Sequence, residues 1–191
     1  MASLRAVIFD IDDTLYSTTR FAKHARANAV HAMVQAGLDL PEDEVLKELE
    51  EGIAEFSSNY DHHFDQLLRR LRPKALESVN PALIVAAGVA AYHDTKFREL
   101  KPFEDVIPLL AALRAAGVIT GVITHGWTTK QAEKIVRLGL VPHLSSRAVF
   151  ISDQLGISKP NPKIYALALR DLGLQANDAM YVGDSPSHDI T

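Results

Sequence analysis

Cysteine is missing altogether from the 191 residues. Its absence excludes disulfides, thiolate metal sites and cysteine nucleophiles, and it fits a reducing compartment. Long apolar runs are missing too. The most apolar stretch, Ala82 to Ala91, is about half of the roughly 20 residues that a membrane-spanning helix needs. The start, Met1-Ala2-Ser3-Leu4-Arg5, lacks the apolar core of a secretory signal. The chain is therefore expected to be soluble and cytoplasmic, with no membrane partner. Positive charge is scarce: 20 Lys and Arg against 24 Asp and Glu leave a formal charge of −4. No basic excess is available to neutralise a phosphodiester backbone, so no nucleic-acid partner is expected. A small anionic substrate needs only a local positive site and remains open.

What is present is ordinary globular material, 47% hydrophobic and 23% charged, with enough apolar residues for a core. The length suits one domain, or a core with a smaller insert. Ala6-Val7-Ile8-Phe9 is an unbroken apolar run that ends at Asp10. Such runs suit a parallel strand buried on both faces. Val118 to Ile123 ends at Thr124, a weaker run covers Ala148 to Ile151, and Ala179 to Val182 ends at Gly183-Asp184. Helical stretches lie between them. Asp105 to Ala115 is stopped by Gly117, and Lys130 to Leu138 by Gly139. Asn161-Pro162 reads as an N-cap with proline in the first turn of a helix that reaches Leu172. Alternating strands and helices predict an α/β fold with a parallel sheet covered by helices.

The segment 17–100 breaks this rhythm. Leu46, Leu49, Ile53 and Phe56 recur at helical spacing, as do Phe64, Leu67, Leu68 and Leu71. Phe21, Ala25, Ala29, Ala32 and Met33 predict an earlier helix, and Asn80-Pro81 opens a later one. The expected organisation is a core of 1–16 and 101–191 with an all-helical insert of 17–100. Open α/β sheets usually continue through a further helix and strand. Here Thr191 follows the fourth strand by a few residues, so the C-terminal edge of the core is expected to be truncated.

Three of the four expected strands end in a reactive polar residue: Asp10, Thr124 and Asp184. Ligands of open parallel sheets bind beyond the carboxyl ends of the strands, so these residues are expected to converge. A polar turn after a strand would also explain Asp10-Ile11-Asp12-Asp13-Thr14. Clustered carboxylates, however, repel unless a cation or a proton intervenes. Hard oxygen ligands suit Mg2+, held by one or two carboxylates with waters and a substrate phosphate. Asp184 would supply a second carboxylate, and Asp189 would ligate or orient a bound water. A carboxylate can also be a nucleophile that forms an acyl-phosphate. Asp10 is the candidate, and Asp12, two residues on, is the candidate acid and base, with an upward-shifted pKa expected. The phosphoryl oxygens need donors. Thr124 offers a hydroxyl, His125 and Gly126 offer backbone N–H groups, and Lys159 offers a point charge before a helix N-terminus.

These motifs together resemble the haloacid dehalogenase superfamily. "VIFDIDDTLY" looks like its first motif, "VITHG" its second, Lys159 in "SKPNPKIY" its third and "YVGDSPSHDI" its fourth. All stand in the family's order and span nearly the whole chain. The resemblance implies a Rossmann-like, three-layer core with a helical cap after the first motif. It implies Asp10 as nucleophile and Mg2+ ligand, and Asp12 as general acid/base with its backbone carbonyl on the metal. Thr124 and Lys159 would hold the phosphoryl group, with Asp184 on the metal and Asp189 in support. The expected activity is phosphatase action on a small phosphorylated metabolite. A phosphomutase shares the Asp10 chemistry, a non-catalytic or truncated phosphate-binding relative is a further reading, and a dehalogenase lacks the second aspartate. Oligomeric state is left open. His125 stands where the family often has asparagine. His62-His63 with Asp61 and Asp65 reads as a solvated cluster, and His24 and His31 complete no site. Tyr16, Phe21 and Trp127 are candidate substrate contacts by position alone.

Overall fold

A computed structural model describes residues 4–56, 60–74 and 78–189. Met1 to Ser3, read above for a leader, and the terminal Thr191 lie outside them. The chain divides into two compact units, 1–18 with 100–191, and 19–99. Among the described residues, no helix is long and apolar enough to cross a membrane.

The first unit is built on a four-stranded parallel sheet. Its strands are β1 (Ala6–Phe9), β2 (Ile119–Thr124), β3 (Val149–Ile151) and β4 (Ala179–Val182), in the order β3-β2-β1-β4. β1 is central, pairing Phe9 with Val122 on one side and with Val182 on the other. All four residues of β1 are buried, as a strand covered on both faces requires. Thr124 belongs to β2, one residue further than the apolar run alone indicates. Gly121 in β2 allows a close approach: a Cβ there would sit 2.5 Å from the Ala148 carbonyl oxygen. Ala6, Ile8, Ile123 and Phe150 share one face of the sheet with Ile164, Ala168 and Leu174 in a single buried cluster.

Helices α5 (Val106–Ala115), α6 (Thr128–Arg137) and α8 (Pro162–Leu172) flank this sheet, with the short α7 (Ser152–Leu155) and α9 (Pro186–Asp189). The stop signals act as expected. Asn161 accepts from the Lys163 amide at 3.0 Å as the cap of α8, and Gly173 ends that helix in the left-handed conformation at φ 67°. That conformation is cheap for glycine and costly for residues with a Cβ. β4 is an edge strand of this sheet, and its Met180 is 52% exposed.

The second unit comprises α1 (Thr18–Gln35), α2 (Glu42–Phe56), α3 (His63–Leu71) and α4 (Pro81–Glu99). Val30, Met33, Leu38, Val45, Leu49, Leu67, Leu68 and Ile84 form its buried core. Helical spacing identified Met33, Leu49, Leu67 and Leu68 correctly. The spacing of Leu46, Leu49 and Ile53 also predicts Phe56 on their stripe, but Phe56 is 44% exposed, stacked on Tyr60 at 5.4 Å between centroids. At the other end of α2, Val45 is buried, whereas the expected Leu46 is only partly so.

Candidate active site

The site begins in the turn after β1. Asp10 extends the ladder, its amide donating to the Val182 carbonyl at 2.8 Å. Ile11, Leu15 and Tyr16 are buried and pin the segment that follows. Asp13 takes a left-handed φ of 56°, a conformation that aspartate tolerates better than most residues. The apolar residues at 11, 15 and 16 thus fold the acidic run into a fixed turn.

Asp10 meets Lys159 at 2.8 Å, and Lys159 also meets Asp189 at 2.7 Å. The side chains of Lys159, Asp10 and Asp189 are only 4%, 9% and 3% exposed. The third donor of the ammonium reaches the Tyr181 hydroxyl at 3.0 Å. That hydroxyl lies 3.0 Å from Asp189 Oδ1, and the Ser185 amide donates to Asp189 Oδ2 at 3.0 Å. Burial pushes the Asp10 carboxyl up, opposed by Lys159. Burial alone would depress the Lys159 ammonium, but its bonds to Asp10 and Asp189 carry it above its ordinary value. Burial also acts upward on Asp189, where Lys159 and the Ser185 amide outweigh it and hold the carboxyl low. The Tyr181 phenol is pushed up by burial and by Asp10 and Asp189.

Asp184, exposed at the end of β4, completes the acidic group. Carboxylate oxygens of Asp10, Asp184 and Asp189 all lie within 4.8 Å of one another. This hard-oxygen set fits a small divalent cation. Asp189 already accepts from Lys159, Tyr181 and Ser185, which leaves Asp10 and Asp184 the freer carboxylates. Gly183 makes the packing possible, because a Cβ there would collide with the Asp189 carboxylate.

Asp12 departs from the expectation of a raised pKa. Tyr16 and Thr18 hydroxyls donate to its Oδ1 at 2.6 and 2.9 Å, and Lys134 donates to Oδ1 and Oδ2 at 2.7 and 2.8 Å. Burial pushes the carboxyl up, but the Lys134 ammonium and these donors outweigh it, so the shift is downward. Hydrogen bonds to the charged form favour that form. Lys134 and Gln131 are absent from the motifs read above. Their spacing of three residues on the helix after β2 is the signal that was available.

Thr124 is fully buried and donates to Gln131 Oε1 at 3.1 Å. The Gly126 amide, expected to cradle an anion, donates instead to Ser152 Oγ at 3.0 Å, directed into the protein. Its φ of 132° and the Gln131 amide, 2.7 Å from where a Cβ would stand, both favour glycine there. His125 is exposed at the edge of this turn, with Nδ1 2.6 Å from Ser158 Oγ. Tyr16 is no rim residue: it is 2% exposed and serves Asp12. Trp127 is 44% exposed, with Lys130 Nζ 4.4 Å from its ring centroid. In the helical unit, Phe21 packs edge-to-face on Tyr92, and His24 and His31 pair separately with Glu99 and Glu42.

A haloacid dehalogenase-like hydrolase profile matches residues 4–191. The chain belongs to the haloacid dehalogenase-like hydrolase family. Among curated relatives, it is 48% identical to a glyceraldehyde 3-phosphate phosphatase of Methanopyrus kandleri, over 98% of this chain and 78% of that protein. It is 42% identical to one of Methanothermobacter thermautotrophicus, over 98% and 80%. Among solved structures, a HAD phosphatase from Thermococcus onnurineus superposes with a TM-score of 0.64 at 24% identity, covering 97% of this chain and 80% of that one. The fold is therefore the family's Rossmann-like α/β core, and the chain is a hydrolase.

Proposed function

We propose that this hydrolase is a phosphatase that cleaves a small phosphomonoester, glyceraldehyde 3-phosphate being the first substrate to test, through an aspartyl-phosphate on Asp10. The observation that carries the reading is the buried Asp10–Lys159–Asp189 cluster at the carboxyl ends of the central strands, with Asp12 two residues beyond the nucleophile. The substrate is drawn from the curated relatives, which are phosphatases of that compound.

In this reading an Asp10 oxygen attacks phosphorus while the bond to the leaving oxygen breaks, and Asp12 gives that oxygen its proton. Asp12 then takes a proton from water, whose oxygen attacks phosphorus and releases inorganic phosphate and free Asp10. The Lys134 ammonium and the hydroxyl donors favour the ionised form of Asp12, and a phosphate dianion arriving beside it raises its pKa and favours the protonated one. Lys159 orients Asp10 and supplies positive charge to the site. Asp10, Asp184 and the Asp12 carbonyl, with Asp189 in support, would hold a magnesium ion, which neutralises charge on the phosphoryl oxygens. Thr124 sets the floor of the phosphoryl site through Gln131, with the His125 amide at its edge. The helical unit, 19–99, acts as the cap that discriminates among leaving groups.

The test is phosphate release from glyceraldehyde 3-phosphate, from p-nitrophenyl phosphate and from a panel of phosphorylated metabolites, with magnesium and with chelator. The expected result is magnesium-dependent release that Asp10→Asn reduces to background. Release from the aryl phosphate but not from glyceraldehyde 3-phosphate would remove the substrate and keep the phosphatase. A folded wild type that transfers phosphoryl groups to sugars without releasing phosphate would make it a mutase.

A further inference from the structure

Asp12 is positioned by a residue 122 positions away in sequence. Lys134 lies on α6, which is anchored by the buried Gln131, Ile135 and Leu138. Its own side chain is 20% exposed, and its ammonium bridges both oxygens of the Asp12 carboxylate. One turn earlier on the same face, Gln131 accepts from Thr124, donates to the His125 carbonyl at 2.8 Å and lies 3.5 Å from Asp12 Oδ2. A single helix face thus ties the end of β2 to the acid/base residue after β1. The two carboxylate oxygens are not equivalent. Oδ1 takes three donors within 2.9 Å, from Tyr16, Thr18 and Lys134, whereas Oδ2 takes Lys134 at 2.8 Å and a long bond from Gln131 Nε2 at 3.5 Å.

We propose that Lys134 is the positioning residue for Asp12: by bridging both oxygens it fixes the plane of the carboxylate and presents Oδ2 as the oxygen that exchanges a proton with the substrate. The inference rests on the phosphatase reading and deepens it. In the first half-reaction the Oδ2–H bond breaks as the leaving oxygen gains the proton, while the Asp10–phosphorus bond forms and the phosphorus–leaving-oxygen bond breaks. In the second, Oδ2 takes a proton from the attacking water. Lys134 exchanges no proton with the substrate in either step. Mounting it on a packed helix, apart from the turn that carries Asp12, keeps the carboxylate plane from drifting, and small errors of placement are costly for proton transfer.

Leaving-group dependence tests this assignment. An alkyl phosphate needs its leaving oxygen protonated, whereas p-nitrophenolate leaves without help. Lys134→Met and Lys134→Arg are compared with wild type, in magnesium, on p-nitrophenyl phosphate and on the alkyl phosphate that wild type hydrolyses, beginning with glyceraldehyde 3-phosphate. For Lys134→Met, kcat/KM on the alkyl phosphate, which ends at release of the leaving group and so leaves out the water step that Asp12 also serves, should fall about 100-fold. On p-nitrophenyl phosphate kcat/KM should fall by less than about fivefold, and Lys134→Arg should recover part of the loss on the alkyl phosphate. In an Asp12→Asn background, Lys134→Met should cost nothing more, because the two act as one unit. Should Lys134→Met fail to fold, Lys134→Gln is measured in its place. Equal losses of kcat/KM on both leaving groups, a further loss in the Asp12→Asn background or unchanged rates would each overturn the assignment. A wild type that releases no phosphate takes the inference down together with the phosphatase reading. An active wild type with indifferent Lys134 variants takes down the inference alone.

Discussion

Replacing Lys159 by methionine would leave two carboxylates facing each other with no cation between them. Asp10 and Asp189 are 9% and 3% exposed at their side chains, and Lys159 binds them at 2.8 and 2.7 Å. Removing one partner of such a buried group costs about 3–5 kcal/mol, because the remaining charge is left unpaired away from water. The expected loss in Lys159→Met, measured by urea denaturation at pH 7 in EDTA, is therefore about 3–5 kcal/mol. The gap should narrow in acid. In wild type Asp189 is held low, so its contribution is present above the ordinary carboxylate value and fades as pH falls through the lowered one. In the variant, burial and like charge raise Asp10 and Asp189, so their penalty is present only where they ionise and vanishes as they protonate. The variant's penalty therefore fades as pH falls from 7 towards about 4, and the Asp189 contribution of wild type fades below that, so both narrow the gap in acid. Magnesium should close part of the gap only by binding the variant more tightly than wild type, about 1.4 kcal/mol for each tenfold difference in affinity at saturation. Equal stabilities in EDTA at pH 7, or a gap that widens in acid, would refute the idea that one cation holds the two carboxylates.

Two smaller perturbations probe the same cluster. Tyr181→Phe removes the hydroxyl between Lys159 and Asp189 and should cost about 1–2 kcal/mol in the same denaturation assay. Gly183→Ala places a methyl group in the Asp189 carboxylate; if Asp189 supports the proposed metal ligands, it should weaken magnesium binding about 10- to 100-fold by titration calorimetry. An unchanged affinity would mean that Asp189 does not support the cation site.

Much of this protein was legible in its residues. Apolar runs cut off by Asp10, Thr124 and Asp184 mark strand ends, and a parallel sheet gathers strand ends at one edge, so the acidic group could be assembled before any coordinates. Asn161-Pro162 and Gly173 bracketed α8 because caps are local chemistry. The helical unit followed from its period, which fails where a single residue such as Phe56 faces outward at a helix end.

The tertiary structure decided what those residues meet. Lys134 and Gln131 lie in none of the motifs, Tyr181 opens the fourth without a role assigned there, and their roles arise because helix packing and strand pairing bring them to Asp12, Thr124 and Lys159. The direction of the Asp12 shift reversed for that reason. Burial and a neighbouring carboxylate are visible in the chain, but an ammonium arriving from another helix is not. The Gly126 amide likewise turned inward because Ser152, at the start of α7, lies beside it. Covalent neighbours determine which groups reach the end of a strand. Packing determines which charges and donors surround them, and those surroundings set the protonation state and orientation with which they act.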